Sequence, residues 1–134
     1  MAIVAAAGPA SNIAIAVTLA GMFQIGILDM ADASVNPFGE FDPVVWVTIT
    51  GFFLVQLNLI LAAFNLLPVQ PLDGGGILAG IAPRVALPLV RQLQRIALPA
   101  LMLLVLTSFA VPSLDPLGVI FGPIRELAFV LVGA

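Results

Sequence analysis

The chain has 134 residues, of which 62% are hydrophobic and 8% charged, and it carries a formal net charge of -3. Its mean hydropathy is +1.24, whereas ordinary globular chains are roughly a quarter charged, so a soluble domain is excluded and bilayer rules govern the fold. The four basic residues are all arginine, too few for a nucleic-acid footprint, and with no histidine and no cysteine the chain has no disulfide, thiolate or imidazole chemistry of its own.

Met1 to Leu28 is apolar, and residues 9–28 as a helix would span about 30 Å, enough to cross a bilayer core. No basic residue precedes this run, and it is too long for the apolar part of a signal peptide. Pro9 is expected in the first helical turn, where a missing amide costs little. Gly8, Pro9, Ala10, Ser11 and Asn12 place small residues and one amide where another helix can approach, which by itself reads as helix packing. Asp29 to Pro43 gathers Asp29, Asp32, Glu40 and Asp42 with Asn36, Pro37 and Gly39. This is a water-exposed loop by composition. Val44 to Leu67 reads as a second span, stopped by Pro68, which neither donates a backbone bond nor leaves its predecessor comfortably helical. Asn58 and Asn65 share one face of it, expected to turn inward because lipid offers an amide no partner.

Asn65 to Gly76 then breaks the apolar sequence with Pro68 and Pro71 and holds Asp73, the only carboxylate between Asp42 and Asp115. Gly74 to Ile81 is expected to form a brief helix or re-entrant piece. Arg84, Arg91 and Arg95 alternate with aliphatic residues, which predicts an interfacial segment with its guanidiniums among headgroups. Ile96 to Val111 reads as a third, rather short span. After a turn at Pro112 to Pro116, Leu117 to Ala134 carries Pro123, Arg125 and Glu126 in its middle and reads as a partial, interfacial or bundle-packed helix. The expected fold is therefore all-α: one multipass transmembrane bundle over residues 1–134, with about three to four membrane segments and a proline-broken helix at Asp73. Arginine placement puts residues 84–95 in the cytoplasm and Asp73 near the cytoplasmic end of the second span. No second, related half suggests an inverted-repeat transporter.

An ionisable residue at a break in a membrane helix is a functional candidate, because its charge is costly in lipid unless something pairs with it. The plainer alternative is a solvated or capping aspartate, since Asp-Gly is a common turn pair. The longer pattern weighs against that alternative. Ala7, Gly8, Pro9, Ala10, Ser11 and Asn12, followed by Asn65, Pro68, Pro71, Leu72, Asp73, Gly74 and Gly75, resemble two ordered motifs of the site-2 protease family of intramembrane zinc metalloproteases. The family patterns are Ala-Gly-Pro-x-x-Asn and Asn-x-x-Pro-x-x-Pro-Leu-Asp-Gly-Gly, and the second is matched without a gap.

The resemblance implies a chemistry. In the family, two histidines of an earlier H-E-x-x-H helix bind Zn2+, its glutamate is the general base, and the motif aspartate is the third ligand. Asp73 takes that position. Asn65 is similar to the asparagine that positions substrate or the developing oxyanion, and Asn12, Asn65, Pro68, Pro71 and Gly74 are the implied substrate-binding residues. The implied partners are the lipid bilayer and a transmembrane helix of a substrate protein, in what resembles a bacterial cell membrane. The departure is that H-E-x-x-H is absent and no histidine exists to replace it. The chain is thus expected to be the C-terminal portion of a larger metalloprotease core, inactive alone and not binding zinc by itself. The alternatives are a non-catalytic module that holds transmembrane helices and a small multipass packing subunit.

Overall fold

The computed structural model describes residues 2–30, 42–111 and 113–133. Helix α1 covers Ala2–Gln24 and α2 covers Pro43–Leu66; a short α3, Asp73–Ile81, leads through a 3-10 turn at Arg84–Ala86 into α4, Leu87–Ala110, and α5 is Pro116–Val132. The fold is an all-α membrane bundle, with no strand among the described residues. Among the described residues three stretches are long and apolar enough to cross a bilayer: Ala2–Gln24, Pro43–Leu66 and Arg84–Ala110. Only a helix satisfies every backbone group of such a stretch internally.

Helix α2 is the centre of the bundle. It starts where Asp42 accepts a hydrogen bond from the Val44 amide at 2.8 Å, with Pro43 in the first turn. Its buried positions Val45, Thr48, Gly51, Phe52, Val55, Asn58, Leu59 and Ala62 recur at intervals of three and four, which is one stripe of a helix. That stripe meets Ala16, Ala20 and Phe23 of α1 and Ala128 and Val132 of α5 in one cluster. Phe52 and Phe129 pack with ring centroids 5.0 Å apart and planes tilted by 44°, and Gln24 Nε2 donates to the Leu131 carbonyl at 2.8 Å, tying the ends of α1 and α5. By contrast α4 buries only Val90 and Gln94. Leu89, Leu93, Ile96, Met102, Leu103, Leu106 and Phe109 of α4, like Ile3 and Val4 of α1, are exposed apolar area of the kind lipid covers.

Three expectations need correction or completion. Pro9 lies inside α1 rather than at its start, because the helix already runs from Ala2. The preceding alanines are strong helix formers, so the helix begins before the proline, and Pro9 itself is buried against the bundle. The arginine segment is not a separate interfacial piece before a short span starting at Ile96. Leu87–Ala110 is one helix of 24 residues, since Leu, Arg and Gln are good helix formers and Pro88 sits in its first turn, where it is tolerated. The last segment forms a 17-residue helix, Pro116–Val132, packed in the bundle through Ala128 and Val132. Of the acidic loop, Asp32, Asn36, Pro37, Gly39 and Glu40 lie outside the described residues.

Candidate functional site

The site begins with the way α2 ends. Pro68 stops the helix, Leu67 bonds back to the Phe64 carbonyl at 3.1 Å, and Leu72 closes a turn onto the Val69 carbonyl at 2.8 Å. The Gln70-Pro71 peptide is cis. Asp73 then opens α3 as its first helical residue, an electrostatically favourable place for a carboxylate. Gly74 and Gly75 are buried beneath it. A Cβ at Gly74 would collide with the Leu66 and Leu67 carbonyl oxygens, so glycine is what lets α3 fold back onto the end of α2.

Helix α3 runs antiparallel along the start of α1, small residue against small residue. A Cβ at Gly80 would lie 2.6 Å from Ala2 Cβ, and one at Gly76 would lie 3.2 Å from Ala5 Cβ. At the third step of this stripe stands Gly8, where an added Cβ would collide with Asp73 Oδ2 and lie 3.4 Å from Asp73 Cγ. The Asp73 carboxylate therefore rests on the bare backbone of Gly8. Asn12, one turn further on, is on the same side of α1. The two motifs, far apart in the chain, meet at one place.

The other expected residues are distributed around this contact. Asn65 is half-buried in the last turn of α2; Asn58, one face with it, is buried and donates to the Leu54 carbonyl at 2.8 Å. Pro68 and Pro71 are exposed on the break. Among the described residues no hydrogen bond joins Asn12 or Asn65 to Asp73; the close approach the structure shows is that of Asp73 to Gly8, with Gly74 packed on the end of α2. Sequence reasoning missed Gln94. It is 6% exposed, and its Nε2 donates to the Gly75 carbonyl at 2.8 Å, pinning α4 to the Asp73 turn. Gln92 and Gln94 both stand between Arg91 and Arg95, so residue type and spacing do not single Gln94 out.

Two substitutions probe these supports. Gln94→Leu removes the side-chain donor that the Gly75 carbonyl accepts and is expected to cost about 0.5–1.5 kcal/mol in unfolding from mixed micelles; an unchanged midpoint would contradict the pinning role. Gly8→Ala meets only the end of a rotatable side chain, so stability should fall by less than about 1 kcal/mol. The carboxylate must nonetheless swing away. Its displacement is read as a change in the Asp73 side-chain carbon shift by carbon-13 spectroscopy, and an unmoved signal would contradict the contact.

Among the described residues no group of three or more histidine, cysteine, aspartate or glutamate side chains comes together. Asp73 offers one ligand where such ions take three or four protein donors, so these residues alone do not fit a zinc ion.

Fold and site thus define an intramembrane helical protein with a single carboxylate held at a proline-broken helix. Residues 43–108 match Peptidase family M50, the site-2 protease family, so this segment is similar to that family. The matched segment contains Asn65, both prolines, Asp73 and Gln94, whereas Gly8 and Asn12 lie outside it. The chain is also 45% identical over 58 residues to "Zinc metalloprotease Rip1" of Mycobacterium tuberculosis, in the Erdman and H37Rv strains. It is 43% identical over 58 residues to the protein of that name from Mycobacterium bovis BCG. Each alignment covers 43% of this chain and 14% of the relative, so the chain spans a small part of those proteins' length. No solved structure matches.

Proposed function

We propose that this chain is the substrate-facing, carboxylate-bearing portion of an intramembrane zinc metalloprotease that cleaves transmembrane helices of membrane proteins. The observation that carries the reading is the seat of Asp73 on Gly8, which joins the two motifs of the resemblance in one site. In this reading Asp73 contributes one ligand to Zn2+, and the histidine pair comes from an H-E-x-x-H segment outside these residues. Asn65 orients the substrate backbone or the developing oxyanion. Asn12, Pro68, Pro71 and Gly74 border the place where a substrate helix opens. The enzyme sits in a bacterial cell membrane with Asp73 toward the cytoplasm, on the side of Arg84, Arg91 and Arg95.

The test is cleavage of a single-pass membrane substrate by the gene product that includes the reading frame upstream of Met1. Cleavage that stops when a zinc chelator is added supports the reading; cleavage indifferent to the chelator contradicts it. The absence of histidine favours a second reading, a non-catalytic module that captures transmembrane helices. It expects capture without cleavage, weakened by Asn65→Leu. Equal capture by that variant counts against it.

A further inference from the structure

Next to the Asp73 turn lies a cavity of about 400 Å³ lined by Gln70, Arg91, Gln94, Arg95, Leu98 and Pro99. Arg91 and Arg95 are four positions apart on α4, so their stems are neighbours about 5–6 Å apart at Cβ. Like charges at that spacing destabilise a helix. No carboxylate of the same helix offsets this, because residues 74–114 contain three arginines and no carboxylate. Among the described residues neither guanidinium has an ion-pair partner. Two adjacent fork-shaped donors over a cavity whose other polar lining is amide make an anion receptor, and phosphate oxygens suit them.

The apolar side of the same helix says where that phosphate comes from. Leu98, Met102 and Leu106 continue the row of Arg91 and Arg95 at intervals of three and four, and all three are exposed. From Arg91 to Leu106 the row is about 22 Å long. It presents cations at one end and a lipid-facing apolar track at the other. We propose that this cavity binds a phosphate group through Arg91 and Arg95, and that the phosphate is the headgroup of an anionic phospholipid whose acyl chain lies along Leu98, Met102 and Leu106. The second arginine-lined cavity, of about 500 Å³, differs in containing Asp115 beside Arg125. That carboxylate makes it a poor anion site and a useful internal control.

The full chain in nanodiscs is examined by native mass spectrometry for retained phosphatidylglycerol against phosphatidylcholine, with inorganic phosphate titrated separately. Retention of phosphatidylglycerol over phosphatidylcholine, reduced at least about tenfold in Arg91→Gln/Arg95→Gln and unchanged in Arg125→Gln, supports the lipid site. Saturable binding of inorganic phosphate, lost in the same double variant and without preference between the lipids, keeps the phosphate receptor and overturns its lipid source. Retention that survives the double substitution, or falls equally in Arg125→Gln, overturns the site. Both arginines are exposed, and an unchanged helical circular dichroism spectrum establishes that the double variant folds.

Discussion

On the proposed reading, Asp73→Asn is expected to abolish cleavage of a membrane substrate by the complete enzyme while leaving the bundle intact. The amide is nearly the size of the carboxylate and still fits over Gly8, so packing between α1 and α3 is preserved. What is lost is the negative charge. In the proposed reading that charge ligates the metal directly, and even removing a group that merely orients a metal ligand costs about 10–100-fold in affinity or activity. Loss of the ligand itself should exceed about 100-fold. Rates of the wild-type and variant enzymes on one substrate, with circular dichroism to verify folding, make the comparison. Full activity in the variant would remove Asp73 from the chemistry.

The largest effect on stability is expected at Gly74. Its added methyl would fall on the Leu66 and Leu67 carbonyl oxygens, and these are backbone atoms at the end of α2 that cannot swing aside as a side chain does. Relief requires α3 to move away from α2, which carries Asp73 with it and breaks the stripe of Gly76 and Gly80 against Ala5 and Ala2. Gly74→Ala should destabilise by about 3 kcal/mol, the upper end of what overpacking costs. Gly21→Ala is the control, because nothing lies within 4 Å of a Cβ there. In the last turn of α1 it should be neutral or gain up to about 1 kcal/mol. Unfolding midpoints in mixed micelles read both. Equal midpoints for the two variants would contradict the close approach of α3 to α2.

Much of the architecture was legible because lipid leaves the backbone few options. Val44 to Leu67 as a span differs by one residue at each end from Pro43–Leu66, since Asp42-Pro43 and Pro68 are strong start and stop signals. Proline also misled where it was taken as a start. Pro9 marks no boundary in α1, because the alanines before it already favour helix. Charge misled similarly at Arg91 and Arg95. Their guanidiniums can leave one face of a helix while Val90 and Gln94 are buried on the other, so basic residues did not end the span.

The site was legible to a different degree. Asp73 and the glycines after it stood out by type and spacing, and the resemblance tied them to Gly8. The physical reason for Gly8 is visible only in three dimensions, as room for a carboxylate from another helix. Gln94 was illegible for the same reason. Its partner is a backbone carbonyl at Gly75, and no side-chain pattern announces a backbone acceptor nineteen positions away.

The central claim is that Asp73 is one ligand of a zinc site completed by residues beyond these 134. A native mass spectrum of the protein extracted from its own membranes tests it most directly, because it reads polypeptide mass and bound metal together. The account predicts a mass above the 13.9 kDa of this chain, an H-E-x-x-H sequence in the added part, and about one zinc ion that is lost in Asp73→Asn. A native product of 13.9 kDa without zinc would contradict the protease reading and bring the helix-holding module to the front.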